Sequence, residues 1–304
     1  MKKESFDPGL TNQFSGALRR TINADGSFNV KRTGSRWRDA SPYLKLIDTT
    51  WPRFFLIVIV GFLAVNLIFA SAYLTIGIEH LKGLESELNN FTNAFFFSVH
   101  TLTTVGYGNV YPVGFWANVT SSIEAATGLM LFAVATGLLY GRFSRPSARI
   151  VYSKNALIAP YQDGTSLQFR VANARSNTLM DLDARVLLMT VESSVGLLRR
   201  NFVDLALERT HIYFFPLTWT IVHPIDEASP LYGKTAEDLA KVSGEFLILI
   251  QGFDDTFSQT VHSRYSYRHD EIVWGARFTP AFQVDTKGDL VVAVDHIDEM
   301  KLMG

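Results

Sequence analysis

Two long apolar runs dominate the first half of the chain. Residues 54 to 78, "FFLIVIVGFLAVNLIFASAYLTIGI", carry no charge. At about 1.5 Å per residue, a helix of that length exceeds the roughly 30 Å hydrocarbon core of a bilayer. The pattern predicts a membrane-spanning helix over about 51–78, with Trp51 and Arg53 at its interface end. The second run, "TSSIEAATGLMLFAVATGLLYGRF" at 120 to 143, is uncharged from Ala125 to Gly141. It predicts a second span over about 117–142, with Glu124 near its start. A carboxylate at that depth is costly unless it faces protein or water, so Glu124 reads as structural first.

Between the spans lies "FTNAFFFSVHTLTTVGYG", apolar and aromatic from Phe91 to Thr101. It is too short to cross a bilayer and predicts a re-entrant helix over the first part of 91–108. The stretch then turns abruptly into Thr104-Val105-Gly106-Tyr107-Gly108. Irregular backbone at membrane depth is tolerated only where protein buries it or where it lines a watery path.

After about residue 150 the period changes. "SLQFRVANA", "DARVLLMTV", "EFLILIQGF", "RYSYRHDEIVWGARF" and "DLVVAVD" are short alternating or β-branched runs. Turn segments such as "QDG", "GFDD" and "DTKGD" separate them, which is the pattern of an all-β sandwich. Only "TAEDLAKV", 235–242, reads as a helix, with Thr235 as its N-cap. The acidic pairs Asp254-Asp255 and Asp270-Glu271 read as turn or rim charges rather than catalytic pairs. The chain thus divides into an N-terminal segment (1–34), an amphipathic interfacial helix (35–49), a membrane domain (50–145) and a β domain (146–304).

Charge adds orientation. Residues 1–53 hold ten Lys or Arg, and Arg142, Arg145, Arg149 and Lys154 follow the second span. Residues 79–116 hold only Lys82 against three glutamates. The excess of positive charge on one side predicts both termini in the cytoplasm, with the connecting segment outside. The net charge of −1 gives no reason to expect a nucleic-acid partner. The absence of cysteine excludes disulfides, thiolate metal sites and cysteine nucleophiles. The lysines at the start have no apolar run behind them, unlike a signal peptide. No nucleophile, acid–base or metal-ligand constellation suggests an enzyme.

The chemistry of residues 104–108 follows from their backbone. Removing water from K+ requires replacement oxygens, and rings of backbone carbonyls supply them. Gly106 and Gly108 permit the unusual angles that aim successive carbonyls one way, and Thr104 adds a hydroxyl. Thr104, Val105, Gly106 and Tyr107 are the expected K+-binding positions. One chain supplies one strand of the ladder, so a C4 homotetramer is expected. On a helical second span, Leu129, Phe132, Ala133 and Thr136 share a face with Tyr140. That face either lines the path or packs on a neighbouring helix. Gly128 and Gly137 are either hinge points or sites of close helix contact.

These features resemble potassium channels with two spans and one pore loop. More narrowly, the chain resembles bacterial members of the inward-rectifier family. The resemblance rests on "SRWRDASPYLKLIDTTWP", "AFFFSVHTLTTVGYG", "GRFSRPSARI", "HPIDEASPLYG" and "RYSYRHDEIVWGARF", and covers about residues 35–280. It implies an immunoglobulin-like cytoplasmic sandwich, passive K+ flux in the bacterial inner membrane, no cofactor and barium as blocker. It also implies a gate at Tyr140, with Phe132 and Thr136 on the same face. An interfacial helix before the first span would couple to that gate. A constriction in a cytoplasmic apex loop is implied at Ser263, Arg264 and Tyr265. Arg36, Arg38, Lys45, Arg142, Arg145 and Arg149 are either anionic-lipid contacts or ordinary cytoplasmic-side charge. Two positions depart from the family. His100 stands where many relatives carry Glu or Gln, and is either a titrating or a neutral hydrogen-bonded histidine. Phe132 stands where strong rectifiers carry an acid. A second reading remains at this level: a closed membrane sensor subunit with a ligand-responsive β domain. A transporter subunit is a third, though such proteins usually hold four of these loops per functional unit.

Overall fold

The structure, a computed structural model, describes residues 8–10, 13–14, 19–31, 33–34, 42–144, 149–175, 177–194 and 197–303. The chain forms two compact units, residues 33–145 and residues 1–32 with 146–304.

Among the described residues, four α-helices build the first unit: α1 (Pro42–Asp48), α2 (Trp51–Ile76), α3 (Asn90–Leu102) and α4 (Phe115–Phe143). α2 and α4 are long and apolar enough to cross a membrane. Pro52 sits in the first turn of α2, where its missing N–H removes no helical bond. Most of α2 is exposed, and only Phe54, Asn66, Ala70 and Tyr73 are buried. A helix that is apolar all round suits lipid rather than water. α3 starts at Asn89, whose side chain accepts from the Thr92 amide. α3 packs against α2 through Ala94 and Phe97, with the Phe97 ring 5.0 Å from that of Tyr73. Of the interfacial helix expected over 35–49, the described part is α1; residues 35–41 lie outside the described residues.

Two large sheets dominate the second unit, with two-stranded pairs at Ala276–Phe278 with Met300–Leu302 and Phe282–Val284 with Leu290–Val292 beside them. One sheet runs in the order Gln13–Phe14, Leu197–Asp204, Leu179–Ser194, Glu245–Asp254, Gln259–Arg268. The other runs Thr218–Ile225, Gly164–Asn173, Ala156–Tyr161, Ile272–Trp274, its last pairing parallel. Alternation places Phe246, Ile248 and Ile250 in the core with Val186, Ile221 and Tyr267. The predicted helix is α5 (Ala236–Lys241), capped by Thr235 and Asp238 in a reciprocal box. Residues of the N-terminal segment cover the outer face of the first sheet. Ile22 is buried beside Met189, Phe202 and Leu247. The Thr21 amide and hydroxyl both donate to the buried Glu245 carboxylate. Arg20 pairs with Glu271 at 2.8 Å. Asp254 accepts from the amides of Thr256 and Phe257 and from the Asn177 side chain, as a turn residue does.

His223 gives this unit a pH dependence. Its Nδ1 lies 2.7 Å from the Ala206 carbonyl, which only accepts, so Nδ1 carries the hydrogen. Its Nε2 then accepts from the Ser229 hydroxyl at 2.8 Å. Burial lowers its pKa from the ordinary histidine value. Below about pH 6.5 the unfolded chain therefore binds more protons at this site, and stability falls as the pH drops through that window. Melting temperatures measured between about pH 7 and pH 5 are expected to fall less for His223→Gln than for the parent. Equal slopes would remove His223 from the acid response.

Candidate functional site

The four residues after α3, Thr103 to Gly106, are tied back to its end. The Thr103 amide donates to the Val99 carbonyl at 3.1 Å and the Thr104 amide to Thr101 at 3.0 Å. The Val105 and Gly106 amides share the His100 carbonyl at 3.0 and 3.2 Å. Their N–H groups are thus turned toward the helix whose negative dipole end faces this stretch. Thr104 (φ 60°), Gly106 (φ 54°) and Gly108 (φ 81°) are left-handed and alternate with Val105 and Tyr107, which are not. Such alternation swings successive carbonyls toward one side. A β-branched residue at positive φ is an outlier, so Thr104 holds a strained backbone. Sequence reasoning assigned that geometry to the glycines alone.

Behind this stretch, His100 is half-buried with its ring edge-on to Tyr107 at 4.8 Å. Glu124 is fully buried. Tyr73 donates to one of its oxygens at 2.6 Å, and the Ser98 hydroxyl contacts the other. Ser98 also reaches the Asn66 side-chain oxygen at 3.1 Å. The polar residues Asn66 and Ser98 inside apolar runs were the available signal for this cluster, which the sequence reading missed.

On α4, Leu129, Phe132, Ala133, Thr136 and Tyr140 are all exposed in the single chain. Phe132 lines an apolar hollow together with Leu102, Thr104, Gly128, Ile57 and Phe62. The two glycines separate. A Cβ on Gly128 would lie 1.9 Å from the Leu102 carbonyl oxygen, whereas Gly137 has nothing within 4 Å. α4 runs unbroken through both. Of the two readings given for Gly128, the structure shows the close helix contact: the missing side chain lets α4 touch the end of α3.

Arg142 was read as either an anionic-lipid contact or ordinary cytoplasmic-side charge. Its guanidinium donates to the carbonyls of Leu46, Ile47 and Thr49, at and just beyond the end of α1. The rings of Trp51 and Phe54 cover it at 4.4 and 4.7 Å. The carbonyls left unpaired at a helix C-terminus are strong acceptors, and they win this cation from solvent. Ser263, Arg264 and Tyr265 were expected in a loop. They lie in the strand Gln259–Arg268, paired residue by residue with Glu245–Asp254. Alternation in "VHSRYSYR" is the reason: Tyr265 stacks on Tyr152 at 4.6 Å and Ser263 accepts from the Tyr152 hydroxyl. Lys45 and Arg149 are exposed, while Arg36, Arg38 and Arg145 lie outside the described residues.

Two helices long and apolar enough to span a membrane, a short helix between them and a β-rich unit after them fit a membrane protein of the ion-channel class. Comparison with known proteins agrees. The inward rectifier potassium channel C-terminal domain family matches residues 150–303, and the ion channel family matches residues 57–145. The chain is 39% identical over 269 residues to inward rectifier potassium channel Kirbac3.1 of Paramagnetospirillum magnetotacticum, covering 86% of this chain and 89% of that one. It is 29% identical over 264 residues to ATP-sensitive inward rectifier potassium channel 12 of Bos taurus, covering 79% of this chain and 61% of the relative. The Homo sapiens channel of that name is also 29% identical, covering 60% of its length. The chain belongs to the inward rectifier potassium channel family, on its bacterial side. It is a channel protein, not an enzyme.

Proposed function

We propose that the chain assembles as a C4 homotetramer in the bacterial inner membrane, both termini cytoplasmic, and conducts K+ passively. The carbonyls of Thr104, Val105, Gly106 and Tyr107, with the Thr104 hydroxyl, replace the water around the ion. The observation that carries this reading is the left-handed backbone at 104, 106 and 108, with the amides of Thr104, Val105 and Gly106 bonded to the end of α3. Tyr140 closes the cytoplasmic end of the path, on a face shared with Thr136 and Phe132. With Phe132 in place of an acid, the path holds no strong site for blocking cations at mid-span, so rectification is weak. Anionic lipid headgroups bind Arg36, Arg38, Lys45, Arg145 and Arg149, each worth about 1 kcal/mol near a charged surface. Arg142 is left out because α1 occupies it.

The test is potassium flux into proteoliposomes of the purified tetramer, with sodium for comparison and barium as blocker. Barium-sensitive flux of potassium over sodium is expected. Tyr140→Ala is expected to raise that flux several-fold by removing the constriction. No flux from either protein would favour the sensor reading. Equal flux from both would move the gate away from Tyr140.

A further inference from the structure

We propose that Glu124 works as a neutral carboxylic acid, a positioning residue that fastens α3 to both spans by a closed chain of hydrogen bonds. The assignment comes from counting hydrogens. Ser98 has one hydroxyl hydrogen and three acceptors within reach: a Glu124 oxygen, the Asn66 side-chain oxygen at 3.1 Å and the Asn66 carbonyl at 3.2 Å. The Asn66 carbonyl lies inside α2 and already accepts within the helix. The orientation of the Asn66 amide is fixed, because its nitrogen donates to the Phe62 carbonyl at 2.7 Å. Its oxygen must therefore face Ser98. Asn66, Ser98 and Glu124 are all fully buried, so solvent supplies no donor.

An ionised Glu124 leaves this count one short. Tyr73 would give its hydrogen to one carboxylate oxygen and Ser98 would give its hydrogen to the other. The Asn66 oxygen would then be buried without a donor, at a cost of about 1–3 kcal/mol. A proton on the Glu124 oxygen facing Ser98 closes the count. Glu124 donates to Ser98, Ser98 donates to Asn66, and Tyr73 donates to the second Glu124 oxygen.

Charge leads to the same state. On α2 the charged group is Arg53, at the far end of the helix from Tyr73. On α3 the titratable group is His100, whose ring is turned to Tyr107. On α4 itself the cation is Arg142, roughly 27 Å further along at 1.5 Å per residue, and α1 holds it. The group facing Glu124 from a neighbouring helix is the Tyr73 phenol. A carboxylate here would be an unpaired charge within the spans, and a neutral acid avoids that cost.

The effect on selectivity rests on the conduction reading above; the protonation does not. The first measurement is infrared absorption of the intact tetramer at neutral pH, in light and heavy water. A deuterium-sensitive carboxylic acid band is expected in the parent and absent in Glu124→Gln. Glutamine can present an N–H to Ser98 and a carbonyl to Tyr73, as the neutral acid presents its O–H and carbonyl, so Glu124→Gln is expected to keep the tetramer and its potassium-over-sodium ratio within about twofold. Glu124→Asp, one methylene shorter, cannot reach both partners and is expected to lose at least tenfold in that ratio. No protonated band in the parent, or loss of selectivity in Glu124→Gln, would overturn the proposal. Should Glu124→Gln fail to assemble, carbon-13 NMR of the parent labelled at glutamate decides between a protonated and an ionised side chain. A band without any flux would sink the conduction reading and leave this one standing.

Discussion

Proteoliposomes carrying Gly106→Ala are expected to lose potassium-over-sodium selectivity by at least tenfold, or to stop conducting, while the tetramer survives. Gly106 has φ +54° and nothing of its own chain within 4 Å of an added Cβ, so within the chain the effect lies in the backbone. An alanine held left-handed costs about 1–2 kcal/mol, and the proposed ring would contain four. A tenfold loss corresponds to only about 1.4 kcal/mol between the two ions, so small displacements of the carbonyls suffice. Thr104→Ala should do less to the backbone, since it relieves a β-branched residue at φ 60° and removes only the hydroxyl. Parent-like selectivity in Gly106→Ala would move the filter away from residues 104–108.

Gly128→Ala is expected to lower the melting temperature of the tetramer sharply and abolish selective flux. The new methyl would lie 1.9 Å from the Leu102 carbonyl, a backbone atom that no side-chain rotation relieves. Overpacking of this kind costs about 1–3 kcal/mol per site, and here it pushes on the end of α3. Gly137→Ala is the partner experiment. It meets open space and trades glycine for the best helix former, a gain of about 1 kcal/mol. A stable Gly137→Ala tetramer with parent-like opening would show that α4 does not hinge there. A stable one that no longer opens would show that it does. An unperturbed Gly128→Ala protein would refute the close contact itself.

How far the sequence could be read differs between these elements. Uncharged runs long enough to span fixed α2 and α4, because length and hydropathy are local properties. The turn of backbone at 104–108 was legible for the same reason, since glycine at 106 and 108 is written in the chain. The strain at Thr104 was not, because residue identity there says threonine and only the bonds from α3 force its angle. Glu124 showed as an anomaly in an apolar run, but its partners come from α2 and α3. Tyr73 and Ser98 lie 51 and 26 residues away, and no local pattern joins them. The loop expected at 263–265 failed because the strand is specified by ten residues of pairing with 245–254, a contact between segments. Arg142 looked like any cation at a membrane edge until the end of α1 was placed beside it.

That last contact has a mechanical meaning. One planar guanidinium holds three carbonyls through both of its terminal nitrogens and lies against two rings. Tyr43 and Ile47 of α1 fill the space that a side chain on Gly141 would need. A joint of this kind leaves no free pivot. Freeing it means breaking three charge-assisted bonds of about 1.5–3 kcal/mol each, many times thermal energy. The end of α4, two residues beyond Tyr140, and the short helix beside it are therefore joined as one piece rather than by a free hinge.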